Sequence, residues 1–223
     1  MCAKVAHLRA HQISEVAGLE RDRYLKVAEL WTAPRPVALI ITHGVSGSGK
    51  SWLSAQLAEA LGAIRLRSDV ERKRLFGLWG DPAPIRLSGD PYRREVSAQL
   101  FEQHLPALSR AVVAGGFTAL IDATFLRLAD RQPMQALAAE LGVPLLIVAC
   151  PCSPELARHR ICQRQSLGHD PSDAGLEVLE RQLAVIEPLS AAEQGSSLVF
   201  EPQASVSGLA AALRSRIAGG DKG

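Results

Sequence analysis

The chain has 223 residues, of which 47% are hydrophobic and 22% charged, an ordinary balance for a globular fold with room for one large domain or two small ones. A formal charge of +2 gives no strong electrostatic case for a nucleic-acid or membrane surface, and no apolar run approaches the length that spans a bilayer. The opening residues MCAKVAHLRAHQ place charge and histidine where a secretory leader needs an apolar core, so a cytoplasmic setting is expected.

In chain order, residues 1–36 read as a helical or linker segment ending in the stiff step Ala33-Pro34-Arg35-Pro36, and residues 37–219 as the main domain. Residues 37–42 (VALIIT), 117–122 (FTALID) and 144–150 (PLLIVAC) are nearly continuous apolar runs, the pattern of parallel strands buried on both faces. Residues 64–67 (IRLR) alternate and 197–200 (SLVF) are short, so both are expected at sheet edges. Helical patterns between the strands stop before Gly62, Gly115-Gly116 and Gly142, as glycine past the last turn predicts. Ser153-Pro154-Glu155 and Ser172-Asp173 are helix starts, and Pro188 closes the second of these helices. Residues 77–91 (GLWGDPAPIRLSGDP) read as a loop over one face. Alternating strand and helix predicts an α/β doubly wound sheet with right-handed crossovers. Cys150, Cys152 and Cys162 lie near His159 and His169, but a C-P-C spacing is not a usual zinc knuckle and Cys150 ends a core strand. Free thiols are expected.

Gly44-Val45-Ser46-Gly47-Ser48-Gly49-Lys50-Ser51 matches G-x-x-x-x-G-K-[ST] at every position, between a buried strand and a helical pattern. Glycines let successive N–H groups turn inward onto phosphate oxygens, and the following helix adds the positive end of its dipole. Lys50 is placed to reach the β- and γ-phosphates, and Ser51 to ligate Mg²⁺. Trp52 follows and is bulky for a first helical turn; packing beneath the loop is its expected use. Asp122 ends a strand where the acid that assists Mg²⁺ belongs; a polar strand terminus is the plainer alternative. The next residues are Ala123 and Thr124, not the carboxylate with which motor and transporter ATPases orient water, which favours transfer over hydrolysis.

The segments GVSGSGKS, RSDVERKRLFG, IDATFLRLADR, ARHRICQR and PSDAGLEVLERQ together resemble the AAA_33-type P-loop kinases. Those kinases often form the C-terminal half of proteins whose N-terminal half is aminoglycoside-phosphotransferase-like. More distantly the segments resemble polynucleotide kinases, gluconate kinase, chloramphenicol phosphotransferase and zeta toxins. The likeness covers about residues 36–201, and residues 20–36 look like the linker between halves. It implies a P-loop NTPase fold: a five-stranded parallel sheet of order 2-3-1-4-5, flanked by helices, with a mobile lid. It also implies ATP and Mg²⁺ as cofactors and a small-molecule hydroxyl substrate such as a sugar or an aminoglycoside-like compound. A separate aminoglycoside-phosphotransferase-like protein is the partner it would bring.

By the same resemblance Asp69 accepts the proton of the attacking hydroxyl and Arg72 helps to hold substrate. The local alternative is a capping box of Ser68 and Glu71 in which Asp69 merely suits the helix dipole. Arg160 and Arg164 sit one turn apart, as lid arginines that close on phosphates would, with Arg158 beside them on a face that could equally be solvated. Residues 166–171 (SLGHDP) are the expected lid tip. Arg127 and Arg131 are expected to line the substrate side, and His43 to be structural. Two rivals share the motif. One is a P-loop ATPase or switch. The other is a nucleic-acid 5′-hydroxyl kinase, for which near-neutral charge and 4% aromatics supply no stacking platform. A non-catalytic binding module is a third.

Overall fold

The structure, a computed structural model, describes residues 22–26, 36–77, 93–167, 175–201 and 204–219. Most of 1–36, the expected loop beyond Gly77, the expected lid tip beyond Leu167 and the Ser172-Asp173 start signal lie outside them. The chain divides into two units, Met1–Arg35 and Pro36–Gly223. In the first, residues 22–26 form a short exposed helix.

The second unit runs β1 (Leu39–His43), α1 (Lys50–Leu61), β2 (Ile64–Arg67), α2 (Ser68–Leu75), α3 (Arg94–Ala98), a π-helical stretch (Gln99–His104), α4 (Leu105–Ala114), β3 (Ala119–Asp122), α5 (Leu128–Leu141), β4 (Leu145–Ala149), α6 (Pro154–Leu167), α7 (Leu176–Val185), α8 (Ala191–Gly195), β5 (Ser197–Val199) and α9 (Val206–Gly219). The five strands pair in parallel in the order β2-β3-β1-β4-β5. This is the expected topology, with the alternating and the short strand at the two edges.

The apolar runs follow from this arrangement. Side chains alternate across a strand, and both faces of the sheet are covered. Leu39, Ile41, Ile121 and Ile147 enter a core with Leu100, Leu105, Phe125 and Met134. Their neighbours Ile40, Leu120, Leu146 and Val148 enter the opposite core with Leu53, Leu57, Leu209 and Leu213. Each such Leu or Ile contributes on the order of 1.5–3 kcal/mol by leaving water. A third, smaller cluster of Val45, Leu126, Ala157, Ile161 and Leu179 sits where the strands end, and ties α6 and α7 to the loop after β1. Among the described residues no helix is long and apolar enough to cross a membrane.

The helix starts differ in places from the sequence reading. Ser153 caps α6 as expected, its Oγ accepting from Leu156 N at 3.2 Å. The Ser68–Glu71 capping box does not form: α2 begins at Ser68 itself, with Arg67 as its cap residue and no side-chain capping bond. Glu71 turns instead to Arg74 and to His104 Nε2, the latter at 3.0 Å. A carboxylate flanked by two cationic or donor groups gains more there than from one backbone N–H. Helix α7 ends at Val185, short of Pro188. A capping box does occur at α8, between Ser190 and Glu193.

Candidate phosphate-transfer site

Parallel register brings the strand ends to one edge. His43 on β1 pairs with Ala149 on β4, and Arg67 on β2 pairs with Asp122 on β3. Ligands of open α/β sheets bind at this carboxyl edge, and here it opens into a cavity of about 830 Å³. From β1 the chain curls through residues 44–49 into α1. Gly44 has φ +145° and Gly47 φ +81°, and a Cβ on either would lie 2.6 Å from Cys150 O or 2.8 Å from Ala157 O. Both the left-handed backbone and the close approach require glycine. The loop is gripped from three sides: Gly44 N donates to Thr124 O at 3.1 Å, Ser46 N to Gln182 Oε1 at 2.7 Å, and Arg160 to Gly47 O at 3.2 Å.

Lys50 is buried within the curl and donates to Val45 O at 2.6 Å and Ser48 Oγ at 3.3 Å. Burial pulls its pKa below the ordinary lysine value, and Asp122 pulls it back up. An ammonium held in this way exchanges loop oxygens for phosphate oxygens at little reorganisation cost. Ser51 Oγ and Asp122 Oδ1 stand 3.5 Å apart. A hydroxyl and a carboxylate side by side form a hard oxygen donor set, which fits Mg²⁺ with the remaining positions left to water and phosphate. The other oxygen of Asp122 accepts from Arg65 at 2.5 Å, and Arg65 also donates to Ser51 O at 2.8 Å.

Across the cavity stands Asp69 in the first turn of α2. One oxygen accepts from Arg67 at 2.6 Å and the other from Val70 N at 2.9 Å. Arg72, buried, donates to Ser97 Oγ at 3.2 Å. Lys50, Ser51, Asp69, Arg72, Asp122, Arg160 and Arg164 all line this one cavity, as do Ser46, Gly47, Gly49 and Trp52.

Several expectations change. Trp52 does not pack beneath the loop: it is 59% exposed, with its ring 6.5 Å from that of Phe200, because the loop's underside is filled by Val45, Ala157 and Ile161. Arg131 does not line the substrate side. It is 1% exposed and locked to Glu193 at 2.6 Å. Arg127 does reach the cavity wall, paired with Asp130 at 2.5 Å. Arg158 lies on a solvated face and pairs with Glu180 at 2.7 Å. His43 is buried, and its Nδ1 donates to Phe125 O at 2.9 Å, a carbonyl being able only to accept. Burial lowers its pKa, partly offset by that bond. Burial likewise raises the Cys150 thiol to about 11.

Sequence reasoning missed Arg65, Arg67, Gln182 and Phe101. The alternation in IRLR carried a signal for the first two, since residues two apart share a face of a strand. Phe101 arrives through the π-helical stretch, a device frequent at functional sites, and packs edge-on against Phe125 with centroids 5.1 Å apart.

Comparison with known proteins agrees with this geometry. The family model AAA_33, described as an AAA domain, matches residues 39–189. Uncharacterized proteins of Mycobacterium tuberculosis and Mycobacterium bovis are 26% identical over 179 residues, 79% of this chain, and the chain spans only 35% of their length. A candidate kinase from Chloroflexus aurantiacus superposes with a TM-score of 0.61 at 24% identity, covering 81% of this chain and 98% of that one. A gluconokinase from Sinorhizobium meliloti gives 0.53 at 22%, covering 83% and 95%. The APS kinase of Mycobacterium tuberculosis, in complex with AMPPNP and APS, gives 0.56 at 16%, covering 83% and 99%. The chain therefore belongs to the AAA_33 family and carries the fold of the P-loop kinases.

Proposed function

We propose that the protein is an ATP-dependent phosphotransferase that moves the γ-phosphate to a hydroxyl group of a small molecule. The observation that carries this reading is the placement of Asp69 and Arg72 on the same cavity as Lys50, Ser51 and Asp122. Motor-type and transporter ATPases generally place a carboxylate beside the magnesium acid to orient water. The positions after Asp122 are Ala123 and Thr124, and Thr124 spends its carbonyl on Gly44 N. The APS kinase of this fold holds an ATP analogue and APS together, which supports a two-substrate cavity here.

In this mechanism the inward N–H groups of the loop and the Lys50 ammonium hold the β- and γ-phosphates. Ser51 and Asp122 would hold magnesium, which when bound neutralises charge on the phosphate oxygens. Arg65 fixes the Asp122 carboxylate so that one oxygen faces Ser51. Arg160 and Arg164 come down from α6 and meet charge that develops on the transferring group. Arg67 and the Val70 N–H orient Asp69, which accepts the proton of the acceptor hydroxyl as oxygen attacks phosphorus. ADP leaves, and the acceptor carries the new phosphate ester. The test is ADP release in Mg-ATP with and without a panel of hydroxylated metabolites, joined to a search for products heavier by one phosphate. ADP release that ignores every acceptor would favour the ATPase reading.

A further inference from the structure

Helix α7 meets the phosphate loop through a polar contact whose chemistry runs one way. Ser46 N donates to Gln182 Oε1 at 2.7 Å. A backbone N–H can only donate, so it fixes which end of the amide faces the loop. The oxygen is taken, and the nitrogen keeps two N–H donors for other partners. Among the described residues Gln182 Nε2 makes no hydrogen bond, and Gln182 lines the cavity. The helix beneath it is anchored. Leu179 is buried in one cluster with Val45, and Leu183, one turn on, packs against that cluster. Val178, Gln182 and Val185, spaced as one strip of the same helix, line the cavity. Gln182 is thus a held side chain with a donor to spare, on the wall of the nucleotide cavity.

The loop itself says which phosphate lies nearest. Its later residues lead into α1, and the N–H groups there cradle the α- and β-phosphates. The lysine of such a loop reaches the β- and γ-phosphates, and here the Lys50 ammonium lies against Val45 O at 2.6 Å, the residue before Ser46. Val45 and Ser46 therefore flank the γ side of the ammonium, and Gln182 stands over Ser46. We infer that Gln182 donates an Nε2 hydrogen to a γ-phosphate oxygen of bound ATP, so that α7 distinguishes ATP from ADP. The inference rests on the ATP-dependent reading above. An amide nitrogen only donates, so it suits a phosphate oxygen and cannot take a proton from the acceptor, which leaves that part to Asp69.

The experiment is calorimetric titration of the full chain with Mg-AMPPNP and with Mg-ADP, which differ in the γ-phosphate. Gln182→Glu keeps an oxygen for Ser46 N but removes the donor. It should weaken Mg-AMPPNP by about tenfold or more, the scale of a hydrogen bond to a charged group, and leave Mg-ADP within about twofold. Gln182→Met controls for the added negative charge, since it has neither donor nor acceptor. Loss of the brace on Ser46 should weaken both nucleotides there, with Mg-AMPPNP weakened by about tenfold more than Mg-ADP. Gln182→Ala makes the same comparison if that variant does not fold. Equal weakening of the two nucleotides in the uncharged variant, or no weakening of either, makes Gln182 a brace of the loop alone. That result overturns the inference and leaves the phosphotransferase reading standing. Tighter Mg-AMPPNP binding in the uncharged variant would mean that the nucleotide displaces Gln182, and overturns it as well. A wild-type protein that does not bind Mg-AMPPNP overturns both.

Discussion

Replacing Arg131 by methionine should destabilise the protein by about 3 kcal/mol, the lower end of what breaking a buried ion pair costs. The magnitude follows from what the side chain does. A guanidinium has five N–H donors, and all of them are used here. Nε reaches Glu193 Oε1 at 2.6 Å, two donors reach Phe125 O and Leu126 O at 3.1 Å each, and two reach Glu193 Oε2 at 3.0 Å and Pro188 O at 3.3 Å. The two side chains are 1% and 3% exposed. Without Arg131 the Phe125 and Leu126 carbonyls keep other donors, His43 and Glu187 N, while the part-buried Pro188 O gives up its longer bond of 3.3 Å. The cost therefore falls mainly on Glu193, left as a buried charge with Gln135 at 2.9 Å and Ser190 N at 2.8 Å. Urea unfolding followed by circular dichroism measures it directly, and in a domain of this size the melting temperature should drop by about 6–12 °C. Arg131→Met with Glu193→Leu removes both charges and should recover most of the loss. Burial alone would raise the Glu193 pKa, but Arg131 and the Ser190 hydrogen bonds outweigh it and hold it below the ordinary 4.5. A depressed carboxylate contributes stability above that range and loses it as pH falls through the folded value. The gap between wild type and Arg131→Met should accordingly narrow below pH 4.5. A loss under about 1 kcal/mol, or a double variant no more stable than the single one, would refute the reasoning.

The site residues should fail in distinguishable ways. Lys50→Ala should weaken Mg-ATP binding and abolish transfer with little change in melting temperature; calorimetry beside a melting curve checks this, and unchanged affinity would count against the phosphate-loop role. Asp69→Asn keeps the size and the Val70 contact but cannot take a proton, so ATP should still bind while acceptor phosphorylation falls by ~10²–10⁴-fold. Asp122→Asn should instead raise the magnesium concentration needed for half-maximal transfer, read from a titration at fixed ATP. Arg164→Ala should lower kcat by ~10²-fold or more while the fold holds; turnover within twofold of wild type would make it a surface residue.

How far the sequence reached depended on how local the physics was. The sheet was legible because double-sided burial writes itself as continuous apolar runs. The bounds differ by a residue or two where the chain is still entering or leaving the ladder: Ala38 is buried and its O accepts from Ala119 N on β3 at 3.0 Å, but its N donates to the Thr118 side chain at 3.2 Å. The phosphate loop was legible because its glycines, Lys50 and Ser51 fall at fixed spacing in one segment, although the backbone atoms that crowd Gly44 and Gly47, Cys150 O and Ala157 O, come from distant parts of the chain. Arg131 was not. Nothing within a helical turn tells whether an arginine four residues from Arg127 faces a cavity or a carboxylate on Glu193, and here the two arginines take opposite fates. The Ser68–Glu71 capping box failed similarly. A local pattern lost to two partners, Arg74 and His104, of which His104 is thirty-three residues away.

The same distinction explains why the two ends of the cavity differ as evidence. The phosphate end is built from one continuous segment, held in shape by Thr124, Cys150, Ala157, Arg160 and Gln182 around it. The rest of the cavity is assembled from β2, α2, α3, the π-helical stretch and the start of α5, and several of its side chains are paired. Specificity at such a place comes from which pairs a ligand can replace: Arg67 with Asp69, Arg127 with Asp130, Arg72 with Ser97. On the proposed reading, an acceptor at this wall would have to replace such contacts, whereas the phosphate loop carries the motif that the sequence already shows whole.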